Sequence, residues 1–362
     1  MAEMTLPDRV AWASGLPLNL PEPLFRLLRE QPPEDAAAEW AREAAVALRM
    51  SAAFTENPPA SSRLPFSYQH IPGPIRRLLA RVIGRLQRAR QSQWARFPGW
   101  PIDLSADIAA DLAGVPRIAF ARTPVLLSHD IDSPEGLRNM CDMFLPLEEA
   151  VGARSANYIV PCAWPVDAGL VREAMIRGHE IGVHGYDHAN RTAFADAPER
   201  AQRLAAGHAF AREYNGTGYR APSLLRTRAL IEGLKPLYRY DSSIPTSGGP
   251  FPVPNNGCAS ARPWRFGPLW ELPLSMPRDG SLRFLGYSPA EIGALWREAA
   301  LRIAASGGMV CLLTHCEAGF SGNPLMLAEY RGFLEWIAAD LRFELMLPVE
   351  LVNRLDREAP LA

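Results

Sequence analysis

Two aspartates stand two positions apart in Ser128-His129-Asp130-Ile131-Asp132-Ser133, and roughly fifty residues later two histidines stand four positions apart in His184-Gly185-Tyr186-Asp187-His188. One carboxylate and two imidazoles make a facial metal site. Three protein ligands leave positions open for water and substrate, which separates catalytic from structural zinc. The second aspartate is then free to act as a base beside the metal. Side chains alternate along a strand, so Asp130 and Asp132 point the same way and both reach one site.

Elements of two kinds must position these groups. Val125-Leu126-Leu127-Ser128 is apolar and reads as a buried strand with the acids at its C-terminal end. Gly178-His179-Glu180-Ile181-Gly182-Val183 reads the same way before the histidines. Further strands are expected at Ser155–Val160, Thr217–Arg220, Tyr238–Ser242, Leu269–Leu272, Met309–Thr314 and Phe343–Leu347. Helices are expected at Pro134–Glu149, Ala168–Arg177, Pro198–Tyr214, Leu225–Lys235, Pro289–Ala305 and Pro324–Asp340. Ser133 before Pro134 is a helix start signal. Seven or eight strands alternating with helices indicate a closed (β/α) barrel, with an open doubly wound sheet as the alternative. No GxGxxG or GxxxxGK[ST] follows any strand, so nothing marks a nucleotide site. In a barrel, chemistry gathers where strands end. Arg220, Asp241, Glu271 and His315 fall at such ends.

This order of groups over roughly residues 123–350 resembles the polysaccharide deacetylase family, carbohydrate esterase family 4. The resemblance implies a deformed (β/α)7–8 barrel, a divalent metal that is usually Zn2+, and hydrolysis of N-acetyl or O-acetyl groups. Carried over by motif, Asp130 is the expected catalytic base, and Asp132, His184 and His188 are the expected metal ligands. Arg220 in Arg-Ala-Pro is expected to hold the base. His315 in Leu-Leu-Thr-His is expected to be the catalytic acid. The chain departs from the family in three ways. Asp-Ile-Asp replaces adjacent aspartates, as in an Asp-x-Asp subgroup. Ser223 stands where an aromatic follows the third-motif proline. The Asp-Trp of the fourth motif is not recognisable, and Glu271 is the expected substitute for the aspartate that orients the catalytic histidine. A backbone N–H near Ser223 is the expected oxyanion donor. Asp187 is expected to support the ligands by hydrogen bonding, Cys316 to pack, and Glu317 to be plain loop.

The implied function is metal-dependent removal of an N-acetyl group from an acetamido sugar or glycan precursor. The alternatives are an amidohydrolase or deformylase acting on a small non-polymeric amide, a non-catalytic sugar-binding relative, and a non-haem iron oxygenase, which the barrel pattern and His315 disfavour.

The chain has 362 residues and a net charge of −1, which argues against nucleic acid as a partner of the whole surface. Residues 1–115 read as a helical extension before a barrel at 116–362. Helices are expected at Pro21–Glu30 and Ala36–Met50, and a Pro- and Ser-rich loop at 57–74, where His70 has no evident role. His179 and His208 read as structural. Ile75, Leu78, Leu79, Val82, Ile83 and Leu86 repeat at helical spacing among Arg76, Arg77, Arg81, Arg85, Arg88 and Arg90. Such a helix either docks its apolar stripe on the main domain or lies on an anionic membrane surface. Five widely spaced cysteines without a CxxC, and no apolar leader after Met1, lead to an expectation of a cytoplasmic protein, with peripheral contact at the inner membrane face through residues 75–90.

Overall fold

A computed structural model describes residues 37–51, 53–55, 57–59, 75, 78, 81–86, 102, 104–246 and 257–358. The expected helix at Pro21–Glu30, His70 and most of the 57–74 loop lie outside the described residues. Nine strands form one curled sheet in the order β6-β7-β5-β4-β3-β2-β1-β8, with β9 paired to the start of β1. They are β1 Thr123–Ile131, β2 Ser155–Ile159, β3 Glu180–Val183, β4 Gly218–Tyr219, β5 Tyr240–Asp241, β6 Trp264–Phe266, β7 Leu269–Glu271, β8 Val310–His315 and β9 Phe343–Leu345. All pairings are parallel except β6 with β7. The helices α1 Ala37–Ser51 and α2 Ser105–Leu112 precede the sheet. Then come α3 Pro134–Asn139, α4 Leu145–Ala150, α5 Ala168–Ile176, α6 Ala197–Glu213, α7 Arg228–Leu234, α8 Asp279–Phe284, α9 Pro289–Ala305, α10 Pro324–Ala339 and α11 Pro348–Glu358.

The strand pattern curls as a deformed barrel, as expected, and its closure is irregular. No strand pairing joins β7 to β8 among the described residues. The stretch after β7 bridges the two sides instead. Pro245 pairs with Leu274, Met276 N–H donates to the Cys311 carbonyl at 3.2 Å, and Ser275 Oγ accepts from Cys311 N–H at 2.9 Å.

Alternation along β1 divides the core in two. Val125, Leu127 and Ile131 pack outward among the helices, in a cluster with Phe144, Trp296 and Phe333. Leu126 points into the barrel, where Tyr158, Tyr240, Trp270 and Leu313 meet it and α11 adds Leu351, Val352 and Leu355. Asp130 is in phase with Leu126, so the strand that buries an apolar floor lifts a carboxylate at its C-terminal end. Ser133, two residues past that strand, caps α3, its Oγ accepting from Gly136 N–H at 3.1 Å.

The described part of the N-terminal region is tied to this body. Ala44, Ala45 and Leu48 of α1 and Ala106, Ile108 and Ala109 of α2 belong to the outer cluster. Asp107, buried in α2, accepts from Ser260 Oγ at 2.6 Å and Ala261 N–H at 2.8 Å. Arg262 grips Asp111 with two N–H groups at 2.8 and 2.9 Å.

Candidate active site

Asp132 Oδ1, buried and without a hydrogen-bond partner, lies 3.6 Å from His184 Nε2 and 3.5 Å from His188 Nε2. The three donor atoms lie within 4.8 Å of one another. Two ligands about 2.0–2.1 Å from a tetrahedral centre stand about 3.3 Å apart, so this spacing suits a shared ion better than direct hydrogen bonds. His184 Nδ1 donates to the Arg220 carbonyl at 3.1 Å, which leaves the Nε2 lone pair facing Asp132. Burial holds His184 below its ordinary pKa, hence neutral, as a ligand must be. The donor set therefore fits a divalent ion of the zinc class.

The turn between the histidines is shaped for this. His184 follows β3, with its N–H on the Ile159 carbonyl at 2.8 Å. Gly185 has φ +68, and a Cβ there would sit 2.4 Å from the Pro222 ring. His188 itself takes φ 56, a conformation few non-glycine residues hold without reason. Asp187 accepts from Ala189 N–H at 3.0 Å and pairs with Arg203, contacts that fix the turn between the histidines.

Asp130 sits beside this triad. Its Oδ1 accepts from Arg220 at 2.9 Å, and its Oδ2 lies 3.5 Å from His184 Nε2. Arg220 is fully buried. Its other N–H groups reach the Ser242 carbonyl at 3.0 Å and Ser242 Oγ at 3.1 Å, and its plane lies 4.0 Å over the Tyr158 ring. Burial alone pushes the Asp130 carboxyl up, but His184, Arg220 and His315 outweigh it and hold it down at about 2.

On the other side of β1, His315 at the end of β8 pairs in register with Asp130. Its Nδ1 lies 2.8 Å from Asp279 Oδ1. Asp279 Oδ2 accepts from the His315 N–H at 2.8 Å and from Ser321 Oγ at 2.7 Å. Burial alone pulls the His315 pKa down, but Asp279, with Asp132 and Asp130, lifts it to about 10. Nδ1 is taken by Asp279, so Nε2–H is the proton this imidazolium can give.

Glu271 does not orient His315. It accepts from Ile244 N–H at 2.9 Å and lies against Asp241 on the neighbouring strand, in register. Burial holds both carboxyls above their ordinary range; Asp241 adds to the rise at Glu271, while the hydrogen bond from Glu271 works against it at Asp241, so the pair shares a proton away from His315. The orienting carboxylate is Asp279, the first residue of α8. Sequence reading passed over it because it opens a six-residue helix instead of closing a strand. Glu317, expected to be plain loop, is more than that: its Oε1 accepts from Ser133 Oγ at 2.8 Å and Asp132 N–H at 3.2 Å, and burial beside Asp132 pushes its carboxyl up to about 7. Cys316 is fully buried packing.

Ser223 and Leu224 follow Arg220 with φ 51 and 55. The Leu224 and Leu225 N–H groups are engaged by the carbonyls of Ala221 and Pro222. Among the described residues, Ser223 N–H is the donor that this turn leaves for a ligand.

No protein-family model and no curated protein matches the chain. Solved structures do. A candidate polysaccharide deacetylase from Mycobacterium smegmatis aligns at TM-score 0.55 and 19% identity, covering 67% of this chain and 94% of that one. The PuuE allantoinase aligns at 0.53 and 14%, covering 69% and 97%. A candidate polysaccharide deacetylase from Pseudomonas aeruginosa PAO1 aligns at 0.52 and 11%, covering 66% and 92%. At these identities the likeness is one of architecture, and by architecture the chain carries the polysaccharide deacetylase fold.

Proposed function

We propose that this protein is a metal-dependent hydrolase that removes an N-acetyl group from an acetamido sugar or glycan precursor. The observation that carries the reading is one strand end, β1, with a base and a three-donor metal site on one side and a carboxylate-held imidazolium on the other. An amide needs both an activated water and a proton for its departing nitrogen. Asp132, His184 and His188 would hold the ion, which when bound polarises the acyl carbonyl and lowers the pKa of water toward about 7.

The chain's own residues do the rest. Asp130 takes the proton of the attacking water at Oδ2, since Arg220 occupies Oδ1 and keeps the carboxylate ionised. The Ser223 N–H faces the charge that develops on the carbonyl oxygen. His315 gives its Nε2 proton to the leaving amine, and Asp279 keeps it cationic until then. Products are acetate and a free amine.

A second reading, hydrolysis of a small non-polymeric amide, is favoured by Ser223, which removes an aromatic wall at the third motif, and by the allantoinase among the fold neighbours. One experiment separates the readings: metal analysis of the purified protein, with acetate release from N-acetyl sugars, nucleotide sugars and lipid-linked sugars set beside hydrolysis of small cyclic and linear amides. Acetate from a sugar amide supports the first reading and its absence with turnover of a small amide supports the second. Full metal loading with no turnover of either class would leave a binding protein.

A further inference from the structure

Ile75, Leu78 and residues 81–86 are helical, and their apolar side chains face solvent. Ile75, Leu78, Val82, Ile83 and Leu86 are 51, 63, 50, 45 and 60% exposed. The docked face of the same segment is the opposite one. Gly84 is buried, and a Cβ there would sit 1.8 Å from the Phe284 carbonyl oxygen. Residues advance about 100° around a helix, so Gly84 stands about 200° from both Val82 and Leu86. The segment approaches the barrel backbone to backbone through its glycine and turns its greasy stripe outward. An amphipathic helix stabilised by the core does the reverse.

Charge bears on what that stripe would meet. Residues 75–90 hold six arginines and no carboxylate in a chain of net charge −1. Arg81 and Arg85 are exposed beside the stripe. A nucleic acid would answer the arginines and leave five apolar side chains in water. An anionic bilayer answers both, its acyl boundary taking the stripe and its headgroups the guanidiniums. We infer that the exposed face carried by Ile75, Leu78, Arg81, Val82, Ile83, Arg85 and Leu86 is a docking surface for an anionic lipid bilayer.

The placement adds a reason for it. Phe284 ends α8, the helix that begins with Asp279. Its ring lies 6.0 Å from that of Phe320, which lies 4.7 Å from His315. The bilayer surface thus borders the rim of the proton-donor side of the site.

The test is co-sedimentation of the full chain with phosphatidylglycerol–phosphatidylcholine vesicles and with pure phosphatidylcholine vesicles, at low and raised salt. It reads binding, not catalysis, so it stands whether or not the deacetylase reading holds. Binding to the anionic vesicles that weakens with salt is expected. Arg81→Gln/Arg85→Gln should weaken it by about 25-fold, about five-fold for each arginine near the surface. Val82→Ser/Leu86→Ser should weaken it further at unchanged metal content and melting temperature. Equal binding to neutral vesicles, no binding, or binding unchanged in both double variants would overturn the inference. A stable dimer that Val82→Ser/Leu86→Ser dissociates would overturn it too, because a second copy would then cover the stripe.

Discussion

Replacing Asp279 with Asn should move the alkaline limit of activity to lower pH. Asp279 Oδ1 lies 2.8 Å from His315 Nδ1, and this carboxylate is the first cause that lifts the imidazole to about 10. A raised histidine pKa keeps the cation as pH climbs through the ordinary value and releases it only near 10. Without the charge, His315 returns toward its ordinary value of about 6.5, where it is roughly 3% protonated at pH 8 and about three-quarters protonated at pH 6. If His315 must be cationic to release the amine, kcat/KM should fall at least about 30-fold at pH 8 but less than about 2-fold from this cause at pH 6. Asn has one acceptor oxygen where Asp279 uses two, so it cannot serve both His315 Nδ1–H and the pair of donors, His315 N–H and Ser321 Oγ. That loss costs about 1–3 kcal/mol and calls for a melting curve alongside. The assay is acetate release from pH 5.5 to 10. A uniform loss at every pH, or an alkaline limb that stays where it was, would refute the role given to Asp279.

His184→Ala and His188→Ala should each lose the metal and the activity together, read by elemental analysis; full occupancy in both would place the ion elsewhere. Asp130→Asn should keep the metal and lose at least about 10²-fold in kcat, the scale of removing a general base, and near-normal turnover would show that another group takes the proton. Glu180, at the opposite end of the barrel, is buried and pushed up to about 7, so its folded form holds a proton that the unfolded chain has lost. The contribution to stability is then greatest below about pH 4.5 and declines as pH rises to about 7. Glu180→Gln should be close to wild type at pH 5 and gain in relative melting temperature by pH 8; a constant difference across that range would show that Glu180 does not titrate there.

The convergence of Asp132, His184 and His188 was legible because it is local. Asp130 and Asp132 share a strand face, and His184 and His188 share one turn, so spacing alone implies convergence. Arg220 and His315 were legible as polar groups closing apolar strands. Asp279 was not, because its bond to His315 spans 36 residues and starts from a six-residue helix with a glycine in its first turn. A strand-end rule chose Glu271, which does end a strand but faces Asp241. Glu317 reaches Ser133 and Asp132 across about 185 positions, a closeness that no local pattern carries. Among the elements, long strands and capped helices were readable, whereas the three-residue β6 and irregular closure through Ser275 depend on tertiary pairing. The amphipathicity of 75–86 is in the sequence. The direction of its apolar face is not, because Gly84 decides which side docks.

One strand divides the labour: β1 is flanked by β2 on one edge and β8 on the other. His184 is anchored to the Arg220 carbonyl, and Arg220 to Ser242 and Asp130, and none of these bonds passes through His315 or Asp279. The proton donor is anchored separately by Asp279 and Ser321. Inactivation is therefore modular. A chain without the His315 imidazole would keep the contacts that hold Asp130, His184 and Arg220 together. On the proposed function, a binder and an enzyme on this scaffold would stand one substitution apart.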